Sequence, residues 1–187
     1  MTLRAWMVLG AALAALVAAS VFLVPVALPG DHPMALATDG VGPLRLGRDY
    51  DDAASAARTA APHSAFAGVG CGGLDEIRYS GDLAGMPVTV MGMAESGVLV
   101  EIEVSLDAPL EAADEGACVA LRDQLGAPFI ARFGAAPMDR VLHKPVSTEH
   151  RARHGPVELI ARWFATGRSC YVSVLYGQDL PPGTVPK

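Results

Sequence analysis

The chain has 187 residues, of which 51% are hydrophobic, and it carries a formal net charge of −6. This length suits one ordinary folded domain. The negative charge makes a nucleic-acid phosphate backbone an unfavourable partner, and the sequence has no asparagine, which excludes N-glycosylation.

The N-terminus carries an export signal. Arg4 is followed by an uncharged, apolar run over residues 5–30. Its first 20 residues, up to the prolines, have about the length that spans a bilayer, which favours an uncleaved anchor. Ala35-Leu36-Ala37 is also a small-x-small site at which a signal peptidase could cut before Thr38. Both outcomes export the rest of the chain.

We therefore divide the chain into three parts. Residues 1–37 are expected to be a signal peptide or a transmembrane signal anchor, residues 38–180 an exported α+β domain, and residues 181–187 a loose tail. The predicted location is periplasmic, or anchored in the inner membrane with the domain on the periplasmic side. Membrane contact is expected only through an uncleaved N-terminal segment.

The first part of the domain predicts a short strand followed by a helix. A glycine and proline turn leads into a strand through Leu44 and Leu46. The helix is expected to be capped by Asp49 or Asp51 and to end before Pro62, because the residue before a proline disfavours helical geometry. The stretch AGVGCGG that follows lacks the Lys-Ser/Thr of a phosphate-binding loop and is interpreted as a flexible connection.

A three-stranded antiparallel meander is predicted next. Its strands run from Leu74 to Tyr79, from Pro87 to Met93 and from Val98 to Leu106, with glycine-containing turns between them. In the third strand, Val98, Val100, Ile102, Val104 and Leu106 alternate with polar residues. This period of two indicates one buried and one solvent-exposed face.

A long helix is expected to begin near Glu111 and to end at Gly134, with a kink or a restart at Pro128. One side of this helix should be apolar, since hydrophobic residues recur at steps of three or four: Cys118, Leu121, Leu125, Phe129 and Phe133.

Three further strands complete the predicted fold: Arg140 to His143, Val157 to Phe164 and Cys170 to Tyr176. The order helix, three strands, helix, three strands is a faint twofold repeat. The predicted fold class is α+β, with two helices packed on one face of a mostly antiparallel sheet of about six strands.

His143, His150 and His154 are the candidate metal ligands. A spacing of four would place His150 and His154 on one side of a helix, which suits zinc. Pro145 and Pro156 bracket the segment, however, and its many charges favour a solvated loop. We therefore assign no metal and no cofactor, and keep a metal-dependent enzyme using these histidines as an alternative.

A contact surface is the other candidate site. Glu101 and Glu103 fall on the polar face of one predicted strand and could contact a basic partner. Trp163 and Phe164 are adjacent and must point to opposite faces of their strand, so Trp163 is expected in the core and Phe164 on a binding surface. The sequence shows no recognisable catalytic arrangement, and we expect a protein that is not an enzyme.

Two stretches, GPLRLGRDYDDAASAA and QLGAPFIARFGAAP, resemble small exported envelope proteins of the SmpA/OmlA outer-membrane assembly type. The resemblance implies helices packed on an antiparallel sheet and a non-catalytic envelope protein that works by contact with a protein partner. This chain departs from that type because no cysteine follows its apolar run closely enough to carry a lipid.

Two functions are thus weighed beside the metal-dependent enzyme. The leading hypothesis is an exported bacterial envelope protein that acts through protein–protein contact. The alternative is an acidic inhibitor or immunity protein against a secreted hydrolase, since opposite charge steers an acidic inhibitor toward a basic enzyme.

The three cysteines predict one disulfide, because an exported domain meets an oxidising compartment. Strand directions counted along the predicted elements place Cys71 and Cys170 at the same end of the sheet. Cys118 starts from the opposite end, on the apolar side of the long helix. We therefore predict a bridge between Cys71 and Cys170, with Cys118 a free, buried thiol.

Overall fold

A computed structural model describes residues 34–70, 73–134 and 139–177. The predicted N-terminal segment up to residue 33, Cys71 and the predicted tail lie outside these described residues. Within the described ranges, no helix combines the length and the apolar character needed to cross a membrane.

The described chain folds into twelve strands and two α-helices, with one short 3-10 helix at Ala165–Gly167. In chain order the elements are β1 Leu36–Ala37, β2 Gly40–Val41, β3 Leu44–Arg45, α1 Tyr50–Ala60, β4 Phe66–Val69, β5 Asp75–Leu83, β6 Met86–Glu95, β7 Val98–Leu106, β8 Leu110–Glu111, α2 Glu115–Phe133, β9 Asp139–Lys144, β10 Ser147–His154, β11 Val157–Phe164 and β12 Ser169–Tyr176.

The main sheet is antiparallel throughout. Eight strands lie side by side in the order β4-β5-β6-β7-β12-β11-β10-β9, and β8 pairs with β12 to make nine. Each half of the sheet is a meander of four strands that follows its own helix, and the two halves meet where Val104 of β7 lies opposite Val174 of β12. The strands β1, β2 and β3 form a separate small sheet.

The predicted fold class is therefore wrong. The described chain is mostly β, with a nine-stranded sheet and a three-stranded sheet beside its two helices, where we predicted about six strands. Several strands have only two residues, too few to show a period in the sequence. The stretch interpreted as a flexible connection instead contributes β4, which pairs with β5 at the edge of the sheet.

The segment interpreted as a solvated loop is strand β10. It pairs with β9 on one side and with β11 on the other. Both of its faces carry polar residues, so no apolar alternation marks it in the sequence. Its polar side chains form hydrogen bonds and ion pairs with neighbouring strands and with α2, and these replace the hydrogen bonds that water would make in a solvated loop.

One face of the main sheet is covered. Helix α1 packs on β5, α2 packs mainly on β11 and β12, and the small sheet contacts β7. The small sheet is fixed by two core tyrosines: the Tyr79 hydroxyl donates to the Val41 carbonyl at 3.1 Å, and the Tyr176 hydroxyl donates to the Ala37 carbonyl at 3.2 Å. Burial raises the pKa of both tyrosines, so both hydroxyls keep their protons and remain donors.

Helix α1 begins after Asp49, one of its two predicted caps. Helix α2 begins at Glu115, four residues later than the predicted start near Glu111, because Glu111 belongs to β8. The Asp49 side chain accepts hydrogen bonds from the backbone at the start of α1, and Asp114 does the same for α2. The apolar side predicted for the long helix is confirmed, since Cys118, Leu125 and Phe129 are fully buried. The predicted restart does not occur, because α2 continues through its proline to Phe133.

The alternation predicted for β7 holds over only part of the strand. Ile102 and Val104 are buried as expected, whereas Val98 and Val100 are exposed and Leu99 is buried in their place. The pairing of β6 with β7 shifts register beside Met93 and Ala94, and this irregularity reverses the faces at the start of β7.

The predicted disulfide pairing is also wrong, since the bridge joins Cys118 to Cys170. The missed strand β10 explains the error. One additional strand in the second meander reverses the direction of β12, which places Cys170 at the end of the sheet where α2 begins. Strand β8 reaches the same end and pairs with β12 there, with Leu110 opposite Cys170.

Loss of this bridge should destabilise the domain. The bridge closes a loop of 52 residues, which corresponds to about 4 kcal/mol in the chain-entropy account. We expect Cys118→Ser to lower the free energy of unfolding measured by urea titration, and Cys71→Ser to leave it unchanged. A peptide map under non-reducing conditions should join residues 118 and 170, and a peptide joining residue 71 to either would contradict the assignment.

The close approach of α2 to the sheet gives a second prediction. A Cβ atom added at Gly126 would lie 2.3 Å from Cδ1 of the buried Leu159. Gly126→Val should therefore destabilise the domain by about 1–3 kcal/mol through overpacking. The control is Gln124→Val, which places the same β-branched residue on the exposed side of the helix. Equal midpoints of unfolding for the two variants would contradict this packing.

Candidate functional site

The second face of the main sheet is the candidate site, and we call it the open face. Strand residues alternate between faces, so the neighbours of buried positions such as Ile77, Val90 and Val174 point away from the helices. No described helix or strand packs over these positions. The open face is therefore the surface that the fold leaves available for contact.

A groove of about 400 Å³ lies on the open face where the two halves of the sheet meet. Glu101 and Glu103 on β7 line one side, and Arg151 and Arg162 on β10 and β11 line the other. The remaining lining is apolar, aromatic or hydroxylated: Ser105, Leu106, Ala108, Ile160, Tyr171, Val172, Ser173 and Leu175. The groove thus presents opposite charges across a partly apolar floor.

The structure brings the predicted contact residues onto the same face. Glu101 and Glu103 line the groove, and Glu103 forms no hydrogen bond or ion pair with any described residue. Phe164 is half-buried on the same face, and its ring meets that of Tyr171 edge-on, with 5.4 Å between the ring centroids. Trp163 points the other way and packs against the core.

A buried carboxylate organises the basic side of the groove. Glu149 on β10 is fully inaccessible to solvent, although it lies on the open face. Lys144 donates to it at 2.6 Å, Arg162 donates to it through two nitrogens at 3.1 and 3.2 Å, and Arg151 donates to it as well. Three cations from three strands thus cover one carboxylate and shield it from water.

The same arrangement extends toward the sheet edge. Arg151 also donates to Glu158 at 2.8 Å, and Arg140 on β9 donates to Glu158 at 3.1 Å. Each of these arginines is thereby bonded to a carboxylate of a neighbouring strand. The network fixes the register of β9, β10 and β11, and it still leaves the Arg162 side chain 43% exposed.

The charges of Glu149 and Arg151 support each other. Burial raises the pKa of Glu149, but the hydrogen bonds from Lys144 and Arg151 and the charge of Arg151 outweigh it and lower that pKa to about 2. Burial likewise lowers the pKa of Arg151, and its bonds with Glu149 and Glu158 raise it overall. Glu149 and Arg151 are therefore both charged at neutral pH.

The open face is divided by the sign of its charges. On β5 to β7 it carries the carboxylates of Glu76, Asp82, Glu95, Glu101 and Glu103, and Arg78 is the one cation among these three strands. On β9 to β11 it carries two carboxylates and five cations: Arg140, Lys144, Arg151, Arg153 and Arg162. We call these two regions the acidic half and the basic half.

The three candidate histidines do not come together. His143 is exposed on β9, while His150 and His154 lie four residues apart on β10, about 13 Å along a strand. His150 contacts Glu115 of α2 at 2.5 Å, and His154 is buried at the other end of its strand. Among the described residues, no three potential ligands are grouped closely enough to hold a metal ion.

Sequence reasoning missed Glu149 as the centre of the basic half. A glutamate between charged residues in a predicted loop gave no sign of burial, because its partners Lys144 and Arg162 come from two other strands. The signal available was the density of arginine: Arg151, Arg153 and Arg162 fall within two neighbouring strands.

Removal of the buried carboxylate should destabilise the fold in a pH-dependent way. Glu149→Gln is expected to lower the free energy of unfolding by about 1–3 kcal/mol at neutral pH, because three cations lose their shared partner. The folded pKa of about 2 lies below the ordinary value of 4.5, so the stabilisation is fully present above about pH 4.5 and is lost as the pH falls toward 2.

Urea titrations at several pH values check this prediction. The difference between the wild type and Glu149→Gln should shrink as the pH falls from 5 to 2. The control is Glu111→Gln, at an exposed position on β8, which should change stability by less than about 0.5 kcal/mol. A difference that stays constant with pH would show that Glu149 is not held as described.

Comparison with known proteins assigns no family and no function to this site. No family model, no curated protein and no solved structure matches the chain. The site is therefore defined by its own residues: a groove between an acidic and a basic half, on the face of the sheet that the helices leave uncovered.

Proposed function

We propose that this protein acts without catalysis, by protein–protein contact through the open face, in the bacterial cell envelope. One observation carries the proposal. The helices cover one face of the main sheet, and the other face holds a groove lined by opposite charges and by the exposed Tyr171. The apolar N-terminal run supports export of the domain to the envelope.

The composition of the open face supports the proposal. Interfaces are enriched in arginine, aromatic residues and methionine and contain little lysine. The open face carries five arginines and a single lysine, together with Phe66, Met91, Met93, Phe164 and Tyr171. The Tyr171 side chain is 48% exposed beside the groove.

The ordered arginine side chains of the basic half also support the proposed contact function. Three arginines of the basic half, Arg140, Arg151 and Arg162, are held by Glu149 or Glu158 before any partner arrives. A partner therefore meets groups that are already oriented, and less side-chain entropy is lost on binding. This distinguishes the basic half from an ordinary solvated surface, where long charged side chains sample many rotamers.

The acidic half supports a second candidate function, inhibition of a basic secreted hydrolase. Glu103 lines the groove without a partner among the described residues, so it is available for a lysine or an arginine of such an enzyme. Charge steering would speed the encounter and make it sensitive to salt. Both candidate functions use the same face.

Site-specific photo-crosslinking tests the proposal in envelope preparations. A photoreactive phenylalanine analogue at Tyr171 should crosslink the protein to a defined partner chain, since this side chain lies exposed beside the groove. The control position is Gln124, which is exposed on α2 and faces away from the sheet. A basic hydrolase as the crosslinked chain would select the inhibitor function. Equal products at both positions, or none at either, would contradict a contact role for the open face.

A further inference from the structure

The uncharged strand at the centre of the open face has a special position. On β12 the open-face residues are Ser169, Tyr171, Ser173 and Leu175, none of which is an acid or a base. The acidic half lies on one side of this strand, beginning with Glu103 opposite Leu175. The basic half lies on its other side, beginning with Arg162 opposite Tyr171. The sign of the charge therefore changes across β12.

This pattern is self-complementary. A twofold axis lying in the contact plane along β12 turns a second copy over and exchanges its left and right sides. The acidic half of each copy then covers the basic half of the other, and both contacts are equivalent, as an isologous interface requires. Residues near the axis meet their own counterparts, so uncharged residues belong there and like charges do not.

We propose that a second copy of this chain occupies the open face in a face-to-face dimer. This inference rests on the proposed function, since it names the partner of the same surface. The net charge of −6 opposes random association between copies, so a stable contact has to bring opposite charges together. Because the acidic and basic halves lie on opposite sides of β12, each dimer would contain two contacts between opposite charges.

The available area is sufficient. Seven strands, from β5 to β9 in sheet order, would overlap between the two copies. At about 4.8 Å between strands and about 3.3 Å per residue, strands of about eight residues present roughly 900 Å² on each copy. Two copies would bury about 1,800 Å², the usual size of a specific and stable interface. Apolar contact at its centre would come from the exposed Tyr171 ring, since Leu175 and Ile160 beside it are already buried within each copy.

Charge reversal tests the dimer with the full chain in a mild detergent. One variant is Glu101→Lys with Glu103→Lys, which removes the net negative charge of the acidic half. The other is Arg140→Glu with Arg162→Glu, which makes both halves acidic. Copies carrying two different affinity tags are mixed, and the fraction of one that co-purifies with the other is measured together with the sedimentation mass.

Wild-type copies should co-purify, and each variant alone should associate at least tenfold more weakly, because halves of opposite charge no longer face each other. An equal mixture of the two variants should restore association, since the basic half of one variant then faces the acidic half of the other. This rescue excludes misfolding as the cause of the loss. A second acidic variant, Arg140→Glu with Arg153→Glu, leaves the bonds from Arg151 and Arg162 to Glu149 in place and should behave like the first.

The outcomes separate this inference from the proposed function. Association that is unchanged by every reversal would place the contact elsewhere and overturn the dimer. A monomeric wild type that still crosslinks through residue 171 to a different protein would overturn the dimer and leave the contact function standing. A monomeric wild type with no crosslink at residue 171 would overturn both.

Discussion

The pairing of β7 with β12 is the interaction on which the rest of the structure depends. The two meanders have no strand in common. They are joined by four residue pairs between β7 and β12, from Ser105 opposite Ser173 to Ile102 opposite Tyr176. Val104 and Val174 are fully buried at this joint. The groove exists because of it, since the acidic wall comes from the first half and the basic wall from the second. The bridge between Cys118 and Cys170 ties α2 to β12 and so supports the same joint.

The parts of the fold that sequence reasoning found are those with a clear apolar period. Strands β7 and β11 have the bounds expected from alternation, and β6 pairs antiparallel with β7 as predicted for the meander. Strand β10 could not be found in this way, because Glu149 and Arg151 on one face and His150 and His154 on the other replace the apolar signal with polar pairs. One missed strand then reversed the direction of β12 and led to the wrong cysteine pairing.

The candidate site was predictable only in part, for a related reason. Glu101 and Glu103 alternate with buried residues, so local sequence is enough to place them on the exposed side of a strand. The position of Glu149 depends on which strands lie beside β10, and Lys144 and Arg162 reach it only in the correct register. Sequence periodicity reports the environment of one strand, whereas a network of charges across three strands depends on the pairing of the whole sheet.

The small sheet bears on how the chain can be processed. Its first strand is Leu36–Ala37, which pairs with β2, and the Ala37 carbonyl accepts the hydrogen bond of Tyr176. A peptidase that cut before Thr38 would separate this strand from the domain and leave the Tyr176 hydroxyl without its acceptor in the core. Maturation at that bond and completion of the small sheet therefore exclude each other. A cut upstream of the buried Met34, or no cut at all, would leave the small sheet and its contacts complete.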